Sequence, residues 1–203
     1  LQAAAAIGRR FDPGLLASVV GLVDSGAALH RLHSQGIIDR EPGSSSHAFR
    51  HVLMRDTVYH SLLSDRRTAL HLAVARALEN RHAGRLSEIA QTLAYHYAHT
   101  DCTDLAFTYT ARAAASSLSV FSLGEANGYL ASAIAIYRRD PACAEPEQLA
   151  AFLADYALSS NISLQVTTML ELASEVRPIL EGFGDSREHA YFLHHYIFCL
   201  IWG

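Results

Sequence analysis

Lysine is absent from this 203-residue sequence: all 16 Lys/Arg positions are arginine. Together with the abundance of alanine, that usage points to a GC-rich bacterial genome, a codon effect rather than a functional one. It also leaves no G-x-x-x-x-G-K-[ST] loop for binding phosphates. Cysteine is scarce. Cys102, Cys143 and Cys199 are odd in number, far apart and without metal-ligand spacing, so reduced thiols in a cytoplasmic chain are expected. Glycine and proline are too sparse for a disordered segment, and charged residues make up only 18%. No apolar run reaches the roughly 18 residues of a membrane span. The nearest, Tyr191–Trp202, is short and interrupted by His194 and His195. Leu1–Ile7 is apolar but lacks the basic flank and cleavage pattern of a signal peptide. No membrane partner is expected.

What is present is apolar and helical in pattern. Half of the residues are hydrophobic, enough for a sizeable core. Charge is uneven: residues 1–85 hold 11 Arg against 7 acids (net +4), and residues 86–203 hold 5 Arg against 13 acids (net −8). The halves therefore face different partners. The chain opens and closes in mid-pattern, which suggests a piece of something longer.

Leu1–Ile7 reads as a helix end stopped by Gly8. Asp12-Pro13 reads as N-cap and first helical residue, followed by Leu15, Leu16, Val19 and Val20 at helical spacing up to Gly21. Asp24 or Ser25 can cap a third helix carrying Ala28, Leu29 and Leu32 inward to a left-handed C-cap at Gly36. Residues 37–41 and 47–50 read as two strands joined by the turn 42–46. Three helices and a two-stranded wing make a winged-helix pattern over residues 1–64. The spacing then predicts a helix over 52–63, with Val52, Leu53, Val58, Leu62 and Leu63 inward. A helix over 66–81 follows, capped by Ser64 or Asp65, with Leu70, Val74, Ala77 and Leu78 inward. Arg66 and Arg67 in its first turn oppose the helix dipole, which an anionic neighbour would relieve; the alternative is solvated arginines or pairing with carboxylates such as Asp56.

From Leu86 the pattern is paired helices: 86–100, 104–120, 123–138, 145–159, 162–180 and a last one beginning near Asp185–Glu188. Leu105 to Tyr137 spans 33 residues, close to the tetratricopeptide period. Tyr95, Tyr97, Tyr109, Tyr129 and Tyr137 read as core or groove lining. The expected fold class is mainly α: a winged helix with a short β-hairpin (1–64), then a tetratricopeptide-like right-handed α-solenoid (65–203).

The runs LQAAAAIGRRFDPGLL (1–16), LHRLHSQGIIDR (29–40), FRHVLMRDTVYHSLL (49–63) and RRTALHLAVARALE (66–79) carry a resemblance. They resemble the region that follows the ATPase module in bacterial STAND-type signal-transduction ATPases, including adenylate/guanylate cyclase-linked and LuxR-type regulators. The resemblance covers about residues 1–137, and F-x-H-x-L-x-R-D (Phe49 to Asp56) is its most specific part. It implies an upstream P-loop ATPase module in the same parent chain, with ADP or ATP bound there and no cofactor in this part. It also implies a protein or small-ligand effector on the helical repeats. In that family and its NB-ARC relatives, a histidine after the hairpin contacts the β-phosphate of ADP, and His51 occupies the matching place. Val52 stands where the family usually carries an acidic residue.

Other constellations are weaker. His30/His33 and His96/His99 have no Cys, Asp or Glu to complete a metal site and read as surface or half-buried histidines. His194 and His195 point to different helix faces. No catalytic set stands out. A DNA-reading winged helix would use His30, Arg31 and His33, with Arg40 and Arg50 on the wing, but net +4 is weak for phosphate neutralisation, so no DNA-binding residues are assigned. The expected role is regulatory: this part couples an upstream nucleotide-binding module to a sensor surface. The alternatives are part of a cyclase polypeptide with catalysis elsewhere, a protein-binding helical scaffold, or a transcriptional regulator.

Overall fold

A computed structural model describes residues 1–22, 25–163, 166–181 and 187–202. Among them the chain forms eleven α-helices and a small three-stranded antiparallel sheet. Asp24 and Asp185 lie outside the described residues, as does the Cys199 side chain.

The chain packs as two units, 1–89 with 95–101, and 90–94 with 102–203. The first begins with α1 (Gln2–Ile7), whose four buried alanines let it lie against α4 (Val52–His60) and α5 (Ser64–Arg81). Strand β1 (Arg10–Phe11) follows, then α2 (Pro13–Val20) and α3 (Gly26–Ser34). Asp12 caps α2 through Leu15 N–H, 2.8 Å from its Oδ1, with Pro13 at the first position as expected. The α3 helix closes on Gly36 at φ +69°, where Ile37 N–H reaches Leu32 O and Gly36 N–H reaches His33 O. This is a Schellman closure. The positive φ is what favours glycine there; a Cβ would also stand 2.9 Å from the Arg50 guanidinium, which would have to shift.

Strands β2 (Ile38–Arg40) and β3 (His47–Phe49) form the expected hairpin, with Ile38 opposite Phe49 and Arg40 opposite His47. Its turn holds Gly43 at φ +73°. Strand β1 has no counterpart in the two-stranded pattern expected: it pairs with β3 on its other side, Phe11 opposite His47, so that β3 is central. Two residues carry no period. The buried Phe11, its ring edge-on to Phe49 at 5.9 Å, anchors this strand in the core. That core joins Phe11, Leu16, Leu29, Ile38, Phe49, Tyr59, Leu62 and Leu70.

Two expectations fail in α4 and α5. Val52, Leu53 and Leu63 do not point inward: Leu53 is 74% exposed and Leu63 81%, with Val52 exposed as well. The helix buries Tyr59 instead, and Leu62 just beyond its end. The large aromatic wins the core because it brings more apolar area and a hydrogen-bonding hydroxyl that finds a buried partner. Neither Ser64 nor Asp65 caps α5. The helix starts at Ser64 after an extended Leu63, with no side-chain cap bond.

After a 3₁₀ turn (Leu86–Ile89), α6 (Ala90–Tyr97) is shared, its first five residues belonging to the second unit and its last three to the first. The second unit continues with α7 (Thr103–Ser119), α8 (Leu123–Arg139), α9 (Pro146–Ser163), α10 (Val166–Glu181) and α11 (Arg187–Trp202). Alanines 106, 113, 114, 126 and 133 are buried and let α7 and α8 approach closely. The core centres on Phe107, Leu130, Ile134, Tyr137, Phe152, Leu153, Leu172 and Phe192. Polar ties fix the helix ends: Thr103 Oγ1 donates to Asp140 at 2.6 Å, and Arg138 grips Glu175 of α10 with two bonds of 2.7 and 3.1 Å. The α7–α8 turn is a Schellman closure whose left-handed residue is Phe121 at φ 56°, with Ser122 N–H on Ser117 O. No helix among the described residues is long and apolar enough to cross a membrane.

Candidate functional site

Two places in the first unit concentrate chemistry: the start of α4 and a buried histidine pair. At the first, β3 ends in Phe49 and the chain passes through Arg50 to His51, the N-cap of α4. Arg50 binds Asp39 on the neighbouring strand with two parallel bonds of 2.9 and 2.8 Å, and its N–H reaches Ile37 O. This clamp holds Asp39 below the ordinary carboxylate range, chiefly through the Arg50 hydrogen bonds. It anchors the chain immediately before His51. His51 itself is extended (φ −125°, ψ 134°), exposed, and makes no side-chain cap bond. The His51 side chain therefore leaves uncapped the first N–H groups of the helix, which carry the positive end of the dipole. Around it Val52, Leu53 and Met54 are exposed, and Leu53 and Met54 join Leu1, Ile37, Thr57 and Val58 round an open hollow of about 330 Å³.

The Arg-Asp pair that closes the F-x-H-x-L-x-R-D run is structural. Arg55 donates to Ala5 O at 2.9 Å and to Asp56 at 3.1 Å, and its guanidinium lies 4.6 Å from the centre of the Tyr59 ring. Arg67 approaches the same ring at 5.5 Å. Of the two arginines that open α5, Arg67 thus meets an aromatic face rather than Asp56, which Arg55 engages; Arg66 is exposed.

Below that ring lies what the sequence did not announce. Tyr59 Oη is 2.8 Å from His71 Nε2, and His71 Nδ1 is 2.9 Å from His96 Nδ1. His71 is 0% and His96 2% exposed. His96 corrects the expectation of a surface or half-buried residue. Its partner is 25 residues away in sequence, a separation that no helical spacing reveals. His99 stacks on His71 at 4.4 Å and bonds the Tyr95 carbonyl through Nδ1 at 2.8 Å. With both buried rings neutral, one Nδ1 donates and the other accepts, so the chain of hydrogen bonds is satisfied. A proton on each would set two N–H groups face to face. Burial first, then the His96, His99, Arg55 and Arg67 charges, drives His71 down to about 3; burial and then His99 drive His96 down to about 4. The network joins α4, α5 and the end of α6, and Tyr97 Oη donating to Glu79 at 2.7 Å adds a second tie from α6 to α5. It is a fastening between these helices.

The remaining sequence candidates stay apart. His30 and His33 are exposed on α3. His195 Nδ1 meets the Asn161 side-chain amide at 2.7 Å, and His194 is exposed beside it. No group of three or more metal-ligating side chains converges among the described residues. Of the arginines considered for DNA, Arg50 is neutralised by Asp39, while Arg31 and Arg40 are exposed. Tyr97, Tyr109 and Tyr137 are buried, whereas Tyr95 is exposed. Cys102 and Cys143 form no disulfide, and burial pushes Cys143 up to about 11.

No protein-family model matches the chain, and no curated protein or solved structure is similar to it.

Proposed function

We propose that this chain is the regulatory part of a bacterial multidomain signalling ATPase of the STAND type. Residues 1–64 act as a winged helix packing on an upstream nucleotide-binding module, and residues 65–203 as a tetratricopeptide-like sensor surface. The observation that carries the proposal is the setting of His51: an exposed imidazole at the start of α4 that makes no cap bond, held by the Arg50–Asp39 clamp and flanked by exposed Val52, Leu53 and Met54. A phosphate oxygen there would meet an imidazole donor and the positive end of a helix dipole, and the apolar side chains would give the ATPase module a surface to cover. ADP in the parent then favours the packed form, and ATP or an effector on the second unit shifts the population to an open one.

The test is the nucleotide content of the full-length gene product as purified, wild type beside His51→Ala. Retained ADP in the wild type and its loss in the variant supports the switch. Equal ADP in both sinks the role of His51. No nucleotide in either favours a second reading, a plain helical scaffold for partner proteins, for which the groove between α7 and α9 speaks. Parent chains ending in a cyclase or a DNA-binding output would fit the same switch, with that chemistry outside these residues.

A further inference from the structure

The second unit carries a small groove between α7 and α9. Its floor is Phe107 and Phe152, both buried, with ring centres 5.3 Å apart in an edge-to-face arrangement. Alanines 111, 115 and 151 form its walls, so it is a narrow slot. Its volume is about 210 Å³. That is below the roughly 300–1,000 Å³ of sites that enclose whole small molecules, and it suits a single side chain. One turn beyond Phe152 the slot ends at Asp155, half-buried, with no hydrogen bond or ion pair among the described residues. Burial pushes its carboxyl above the ordinary carboxylate range, as expected of a charge taken partly out of water without compensation. Such a group is costly to keep for stability alone, and in a concave site it marks a binding function. The nearest cation on the lining, Arg112, lies 5.3 Å from the centre of the Tyr109 ring and does not neutralise Asp155.

We propose that this groove binds a lysine side chain of a protein partner, its aliphatic stem between the alanines and over the phenylalanine rings, its ammonium on Asp155. Three features favour lysine over other cations. An ammonium is a compact point charge on a flexible four-carbon stem that enters a narrow slot, whereas a planar guanidinium is wider. Thr108 and Gln148 on the rim offer further acceptor oxygens for its remaining protons. These 203 residues contain no lysine, so none of them supplies the side chain. The net −8 over residues 86–203 adds long-range attraction for a basic partner. The proposal rests on the part of the preceding reading that gives the second unit a partner-binding surface, and it is independent of the nucleotide switch.

The experiment is an NMR titration of the whole chain with an uncharged-end alanine peptide carrying one central lysine. Matched peptides carry Nε-acetyllysine, norleucine or arginine at that place. Shifts confined to residues around Phe107, Phe152 and Asp155 are expected, with affinity at least tenfold weaker for the acetyllysine and norleucine peptides and weaker for arginine. Asp155→Asn, which keeps the shape and removes an uncompensated charge, is expected to lower affinity about tenfold or more while its thermal midpoint holds or rises. Arg112→Ala is expected to hold or strengthen binding. No lysine-dependent shifts in the wild type, or equal binding by Asp155→Asn, overturns the proposal. So does loss of binding in Arg112→Ala with retention in Asp155→Asn, which would assign the groove to an acidic partner. ADP retention in the parent is a separate readout, so failure here and failure of the switch are told apart.

Discussion

The two units use different means to hold their helices. The first, residues 1–89 with 95–101, is basic and fastened by specific polar contacts: the Asp12–Arg81 pair, the Arg50–Asp39 clamp, and the buried Tyr59–His71–His96 chain. The second is acidic and held by apolar area, with Phe107, Leu130, Phe152 and Leu153 at its centre and buried alanines between. Area-based packing is indifferent to pH and tolerates exchange of one apolar side chain for another of equal volume. A buried hydrogen-bonded pair of histidines is neither. It depends on one protonation state and on the spacing of two particular rings.

The largest effect should come from emptying the second core. Phe107→Ala is expected to cost about 3–5 kcal/mol by cavity formation. Hydrogen exchange should show the loss in peptides from 102–163, with the same size at pH 8 and at pH 6. A strong pH dependence would break the contrast between the units.

Acidification should act on the first unit. His71 and His96 titrate at about 3 and about 4 in the folded chain, below the ordinary 6.5. The unfolded chain therefore binds more protons below 6.5. The stabilisation is fully present above that pH and is lost as pH falls through the window between 6.5 and about 4. By pH 5 the loss is about 2 kcal/mol per histidine. Urea unfolding followed from pH 8 to pH 5 measures it, and His71→Phe should flatten the slope. An unchanged slope in that variant would detach the pH response from this network. Asp12, held below its usual range first by its hydrogen bond to Arg81, contributes in the same direction only at lower pH.

A smaller effect tests strain in the second unit. Phe121 is 79% exposed and sits at φ 56°, in the left-handed region that disfavours a side chain. Phe121→Gly should stabilise that unit by about 1 kcal/mol, seen as a raised midpoint in urea. The smallest concerns the Arg138–Glu175 pair, both side chains nearly half exposed. Arg138→Ala should cost under about 1 kcal/mol, less still in high salt. A larger cost would mean that polar ties matter in the second unit as they do in the first.

Legibility followed the range of the forces. The succession of helices and the hairpin could be anticipated from spacing and composition. Among candidate residues, His51 lies at the start of a helix, where its position after the hairpin put it. His96 was counted in a pair with His99, though its hydrogen-bonded partner is His71. Phe107, Phe152 and Asp155 lie on two helices whose joint groove no stretch of sequence contains.

Residue identity alone was enough where the chemistry is local. Asp12-Pro13 starts a helix and Gly36 ends one because a carboxylate three residues from an N–H, or a missing Cβ at positive φ, acts within a single turn. Long-range packing was needed for the rest. It alone made a strand of Arg10–Phe11, turned Leu53 outward and Tyr59 inward, and brought His71 to His96, since each outcome is a competition for a shared interior between segments far apart in the chain. Local propensity carries no information about which of two apolar faces wins that competition.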